Sequence, residues 1–235
     1  MPRSGCGSLL SIVWHGVNRT DWIGGPSHQF IMLSDDIKDS IAHVGVLTER
    51  MLDMPADHDL VALWEAHCRY EFETRDVDAT MATMVAEPYV NHVPTMTGGV
   101  GHDQLKRFYK YHFIGGNPED TTLTPVSRTV GADQIVDELL FSFTHTSEVD
   151  WMLPGVAPTG RRVEIPLVAI VRFEDGKVAH EHIYWDQASV LVQVGLLNPA
   201  GLPVSGVETA RKVVDKSQPS NLMMGRWASS EGKPI

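Results

Sequence analysis

Cysteine is nearly missing from this chain: Cys6 and Cys68 are the only two in 235 residues. They stand far apart, with neither a C-x-x-C nor a zinc-module spacing. That excludes a disulfide framework and predicts reduced thiols in a cytoplasmic protein. Clustered basic residues are missing too. Lys and Arg number 19 against 30 Asp and Glu, a formal net charge of −11, and no basic run offers a footprint for nucleic-acid phosphates. No apolar run approaches the length of a membrane helix, so no membrane partner is expected. The stretch "SLLSIVW" (8–14) is short for an export signal, and no small-residue cleavage site follows it. The chain also lacks a G-x-S-x-G, a Cys-His framework and a phosphate loop. "TGGVGHD" (97–103) has glycines without dinucleotide spacing, so covalent catalysis and nucleotide cofactors are not expected.

What is present is an ordinary share of core-forming residues, 43% hydrophobic, enough for one domain with extensions or for two small domains. Residues 1–57 have mixed composition and read as an N-terminal extension. Ile37, Ile41, Val44 and Leu47 suggest a helix over 35–52. The pattern sharpens over 58–198, and 199–235, rich in Gly, Ser and Pro, reads as a C-terminal extension. "DLVALWEAHCRYEFETRD" (59–76) predicts a helix capped by Asp57 or Asp59, and "DVDATMATM" a short second one. "YVNHVPTMTGG" has strand character. "GHDQLKRFYKYHFIGG" predicts a third helix whose apolar side is Leu105, Phe108, Tyr109, His112 and Phe113. Strand-like runs follow at about 123–130, 135–149 and 162–173, with "WMLPGVAPTGRR" as a connection and "EDGK" (174–177) as a hairpin turn. Helices first and antiparallel strands after indicate an α+β domain.

The densest chemistry lies in "HEHIYWDQ" (180–187). On a strand, His180, His182, Tyr184 and Asp186 share one face, while Glu181, Ile183, Trp185 and Gln187 share the other. Spacing alone leaves open which face looks inward. It also leaves open whether Asp186 lines a site or caps a helix beginning at "DQASVLVQVGLL".

The order of elements, with "RDVDATMATM", "VNHVPTMTGG", "VDELLFSFTH" and "GKVAHEHIYWDQASVLVQVGLL", resembles the SnoaL-like polyketide cyclases of the nuclear transport factor two-like superfamily. The resemblance covers roughly 58–198. It implies a cone in which a curved antiparallel sheet wraps around the N-terminal helices and encloses a pocket. It further implies that Asp186, at the aspartate of a "YWD"-like sequence, points into the cone as acid/base, with His182 and Tyr184 beside it. A homodimer through the convex sheet face is expected with it.

Within that frame, Asp186 is the expected base, and His182 or His92 donates to the developing oxyanion. Asn91 and Tyr184 are expected to contact substrate, as are His67, Glu71, His112 and His145, while Trp64, Phe108, Tyr109 and Phe143 supply the apolar wall. His67 and Glu71 share a helix face at i, i+4. With His92 or His182 they could complete a metal site, but the alternative is an inward polar pair, and no metal or other cofactor is expected. Together these features predict cofactor-independent acid/base chemistry on a small apolar carbonyl compound: polyketide-like cyclisation, isomerisation, or lactone/ester turnover. The alternative is a non-catalytic binding protein for a small hydrophobic ligand.

Overall fold

The computed structural model of the protein describes residues 59–235; the helix expected over 35–52 lies outside the described residues. Helix α1 (Leu60–Phe72) begins where the Asp59 carboxylate accepts a hydrogen bond from the Ala62 amide at 2.9 Å, satisfying one of the free first-turn donors. A short helix α2 (Val77–Ala82) is capped in the same way by Asp76. Strands β1 (Met84–His92) and β2 (Thr97–Val100) form a hairpin. Helix α3 (His102–Phe108) then runs into a π-helical turn, Tyr109–Phe113. The four remaining strands are β3 (Thr122–Val130), β4 (Gln134–Thr144), β5 (Arg162–Glu174) and β6 (Lys177–Trp185). The β5–β6 turn carries positive φ at Asp175 and Gly176, as a two-residue hairpin loop requires. Helices α4 (Gln187–Val194) and α5 (Glu208–Val214) close the described chain. No helix among the described residues is long and apolar enough to cross a membrane.

The six strands form one curved, open sheet in the order β2-β1-β6-β5-β4-β3. Its pairings are antiparallel except one: β1 runs parallel to β6, with Val90 opposite Glu181 and His92 opposite Ile183. The sheet is thus mixed rather than wholly antiparallel. Irregular register at Met84/Tyr89, Pro125/Ser127 and Arg172/Phe173 accompanies its bending.

Three features of the core depart from the periodicity. The third helix widens at Tyr109–Phe113, which buries Tyr109 and Phe113 together and turns His112 outward, where it pairs with Asp150 at 2.6 Å. Strand β4 stops at Thr144, short of the expected 149. The connection after it is no surface loop: Val149, Trp151, Met152 and Leu153 are all buried in the core cluster. Trp151 is fixed there by its indole N–H donating to Asn117 Oδ1 at 2.9 Å, and by its carbonyl accepting from the Thr95 and Thr97 hydroxyls.

Candidate active site

Helix α1 sets the first half of the site. Trp64, His67 and Glu71, at i, i+3 and i+7, are its buried residues. Strand β6 sets the second half, with Glu181, Ile183 and Trp185 buried and facing the helices. The two elements meet at His67, whose Nε2 lies 3.1 Å from Glu71 Oε1 and 3.2 Å from Glu181 Oε1. The Tyr109 hydroxyl donates to the same Glu181 oxygen at 3.3 Å. His67 is fully buried, and Glu71 and Glu181 are each only 4% exposed.

The hydrogen bonds fix the His67 protons. The Thr83 hydroxyl spends its one proton on the Thr80 carbonyl at 2.6 Å, so it accepts at its other contact, where His67 Nδ1 donates from 2.6 Å. Nδ1 therefore carries a proton, and Nε2 is left to the two carboxyls. Burial alone pushes the His67 pKa down, but Glu71 and Glu181 overcome it and raise it to about 10. The same burial raises the Glu71 pKa against the pull of His67. Burial, then the two carboxylates, pushes the Tyr109 phenol well up. At neutral pH the cluster thus holds its protons tightly. Trp64 stacks on His67 (5.3 Å between centroids, 17° between planes). Its indole N–H donates to Asp137 at 2.7 Å, and Asp137 is gripped by both Arg128 Nε and a terminal nitrogen.

Glu71, Glu181 and Tyr109 line a small interior cavity of about 40 Å³, whose remaining wall is almost wholly aromatic and aliphatic. His92, on the strand next to Glu181, also lines it. Nδ1 of His92 lies 3.2 Å from the Thr97 carbonyl, which can only accept, so Nδ1 bears the proton. Nε2 then carries a lone pair, and it has no hydrogen-bond partner among the described residues. Burial pushes the His92 pKa down to about 4, with Glu181 and the Thr97 carbonyl offsetting only part of it. The cavity is thus lined both by groups that hold protons and by a neutral imidazole.

A neutral buried histidine has a stability signature. The unfolded chain binds a proton on His92 near the ordinary pKa of ~6.5, and the folded chain does so only near about 4. Between those values the unfolded state binds more protons, so stability falls as pH is lowered through the window, by about 3 kcal/mol at full extent. His67, with its pKa raised, acts in a different window: its stabilisation is present below ~6.5 and fades as pH rises towards about 10. Urea unfolding between pH 4 and 6.5 should therefore slope less steeply in His92→Gln than in the natural protein. Equal slopes would mean that His92 is not buried neutral.

The structure corrects the inward face of β6. Tyr184 is exposed and His182 half-buried; His182 stacks on His180 and meets Tyr89 edge-on, on the side of the sheet away from the cavity. Asn91 lies opposite His182 on that same outer side. Asp186 is exposed and caps α4, accepting from the Ala188 and Ser189 amides at 2.9 and 3.3 Å. The reason lies in burial: Ile183 and Trp185 belong to the other face, and the core takes the apolar set. Asp186→Ala should accordingly cost about 1 kcal/mol of stability in urea, the usual worth of a lost cap, without changing turnover. A collapse of turnover in a folded Asp186→Ala protein would restore the expected role.

Of the other sequence candidates, Glu71, Trp64, Tyr109 and His92 come together at the cavity, and His67 stands behind its wall, bonded to Glu71 and Glu181. His112 does not, being held outward by Asp150. Phe108 and Phe143 are buried in the core without lining the cavity; Phe108 packs on His92 at 5.6 Å. His145 is buried beyond the end of β4, against Thr159 and the edge of Phe143, and does not reach the cavity. Sequence reasoning missed Glu181, Thr83, Asp137 and Trp151. For Glu181 the signal was legible, since it shares a strand face with the two apolar residues of "HEHIYWDQ".

A family model described as a SnoaL-like domain matches residues 49–181, more than half of the chain. No curated protein matches it. Among solved structures, TsrD from Streptomyces laurentii is 19% identical, with 60% of this chain and 98% of its own covered, at a TM-score of 0.47. A protein with a ketosteroid isomerase-like fold from Catenulispora acidiphila is 17% identical, covering 57% and 93%, at 0.45. An NTF2-like protein of unknown function from Burkholderia pseudomallei is 19% identical, covering 58% and 97%, at 0.45.

Proposed function

Because this chain belongs to the SnoaL-like domain family, we propose that its interior cavity is the active site of an acid/base enzyme. The substrate class is a small, largely apolar carbonyl compound, and the step is proton transfer next to the carbonyl. Cyclisation or isomerisation through an enolate is the natural outcome. One observation carries the reading: two carboxyls and a phenol, backed by the His67 imidazole, share an apolar cavity with a buried histidine whose Nε2 has no hydrogen-bond partner among the described residues. Buried ionisable groups usually contribute less stability than apolar residues of the same volume. A core selected for stability alone has no use for this set.

In this reaction His92 Nε2 takes the proton from carbon, while the Thr97 carbonyl holds Nδ1–H and so keeps the ring in the right tautomer. The carbonyl oxygen becomes an enolate oxygen to which Tyr109 turns the hydroxyl proton it otherwise gives to Glu181. A donor in surroundings that exclude water stabilises that oxygen strongly. A base whose conjugate acid has a pKa of about 4 is unprotonated at neutral pH. It keeps a captured proton only while the enolate is near, which favours returning the proton to the same molecule.

The cavity of about 40 Å³ has room for roughly two or three water molecules, so a substrate requires opening. Cys68, Phe72, Leu123 and Leu139 line both this cavity and an outer recess of about 450 Å³, and so form the partition between them. Phe72 touches Phe113 and Phe141 edge-on, contacts that a ring rotation can exchange for contacts with substrate.

The test is deuterium uptake at carbon in a panel of small ketones, β-dicarbonyl compounds and lactones, followed by NMR in D₂O. Uptake with the natural protein and none with His92→Gln is the expected outcome. Compounds that raise the melting temperature without any uptake would instead indicate a non-catalytic binding protein.

A further inference from the structure

We propose that His67, Glu71 and Glu181 form a binding site for one divalent first-row cation of the zinc–manganese class. This deepens the reading above, since the cation would occupy the electrophilic wall of the same cavity. The three groups each offer one donor atom, and the donors all lie within 4.8 Å of one another in a buried setting. Nε2 of His67 is 3.1 and 3.2 Å from the two carboxylate oxygens. Donors around a four-coordinate zinc, with bonds of about 2.0–2.2 Å, stand about 3.3–3.5 Å apart. The two edges from His67 therefore need to widen by only a few tenths of an ångström, and the two carboxylate oxygens lie within 4.8 Å of each other.

The chemistry of the donor set points the same way. One neutral imidazole and two carboxylates cancel the charge of a divalent ion, which suits a buried site better than a cluster with surplus charge of either sign. Binding displaces the proton from His67 Nε2 to solvent and leaves the one on Nδ1, so the charge and proton count balance. The Nδ1–H to Thr83 Oγ1 bond, with Thr83 in turn bonded to the Thr80 carbonyl, is the kind of outer support that orients a ligating histidine. A separate observation indicates a ligand in the cavity itself. His92 is 97% removed from solvent by its 3% exposure, yet its Nε2 has no partner among the described residues and lines the cavity with Glu71 and Glu181.

The experiment uses the full chain, stripped with chelator and titrated with Zn²⁺ by calorimetry and with Co²⁺ by visible absorption. One equivalent of either ion is expected to bind. The Co²⁺ bands should have the intensity of a four- or five-coordinate site, and circular dichroism should show the fold unchanged. Glu71→Gln, which preserves shape, should weaken affinity by more than the 10- to 100-fold that loss of an outer partner costs, and His92→Gln should leave it within a few-fold. The Co²⁺ spectrum of the natural protein needs no variant to fold. Absence of binding at stoichiometric concentrations, or binding indifferent to both Glu71→Gln and Glu181→Gln, overturns the proposal. Deuterium uptake distinguishes the two readings: a protein that exchanges substrate protons but binds no cation loses only the metal.

Discussion

His92→Gln is expected to lower turnover by about 10²- to 10⁴-fold, the range that a positioned general base contributes, while the protein stays folded. Glutamine can still donate an amide N–H to the Thr97 carbonyl, so the 3.2 Å contact has a replacement. It cannot take up a proton near neutral pH, so the base is lost while the hydrogen bond is kept. Packing changes more. The His92 ring lies 4.6 Å from Trp151, 5.4 Å from Phe113 and 5.9 Å from Trp185, and a flexible chain replaces these ring contacts poorly. A stability loss of about 1–2 kcal/mol is reasonable for such a change. The two effects separate cleanly when rate is measured well below the melting temperature. A folded variant with unchanged turnover would remove His92 from the chemistry.

His67→Leu is expected to destabilise the fold by about 3–5 kcal/mol, because removing one partner of a buried charge cluster leaves the others unpaired. The imidazole is the only cationic group within hydrogen-bonding distance of Glu71 and Glu181 among the described residues. Without it the two carboxyls can only relax by binding protons or admitting water. Against a total of about 5–15 kcal/mol for a typical domain, such a loss puts a large part of the protein in the unfolded state at modest urea. The triple change His67→Leu, Glu71→Leu, Glu181→Leu removes the uncompensated charge along with its partner, so it should recover much of the loss. If instead the single variant unfolds with a midpoint near that of the natural protein, His67 is not holding the carboxyls as a charged pair.

Much of this arrangement is legible in the amino-acid sequence. Helix α1 announced itself through Asp59 and the spacing of Trp64, His67 and Glu71, and the β5–β6 hairpin through "EDGK". Local patterns of that kind need only their own neighbours. What failed needed the partner element. Nothing within "HEHIYWDQ" states which face meets the helices, yet Ile183 and Trp185 leaned towards the Glu181 face. The row of histidines, and the aspartate placed by resemblance, point to the opposite face. Trp151 and its neighbours carry no periodicity because they form a plug rather than an element, and their burial depends on hydroxyls of the β1–β2 hairpin. Tyr109 was expected on the apolar side of its helix, and the π-helical turn there lets His112 leave that side without breaking the hydrogen-bonded spiral.

The parallel seam between β1 and β6 also governs when the charges meet. Val90 and Glu181 are neighbours across that seam, yet almost the whole sheet is synthesised between them. His67 and Glu71 precede Glu181 by more than a hundred residues, so the cluster is complete only where β6 lies beside β1. Contacts of such long sequence separation are slow to make. The strand that completes the candidate catalytic cluster is then also the clasp of the fold, so a chain truncated before β6 has neither a closed core nor a site.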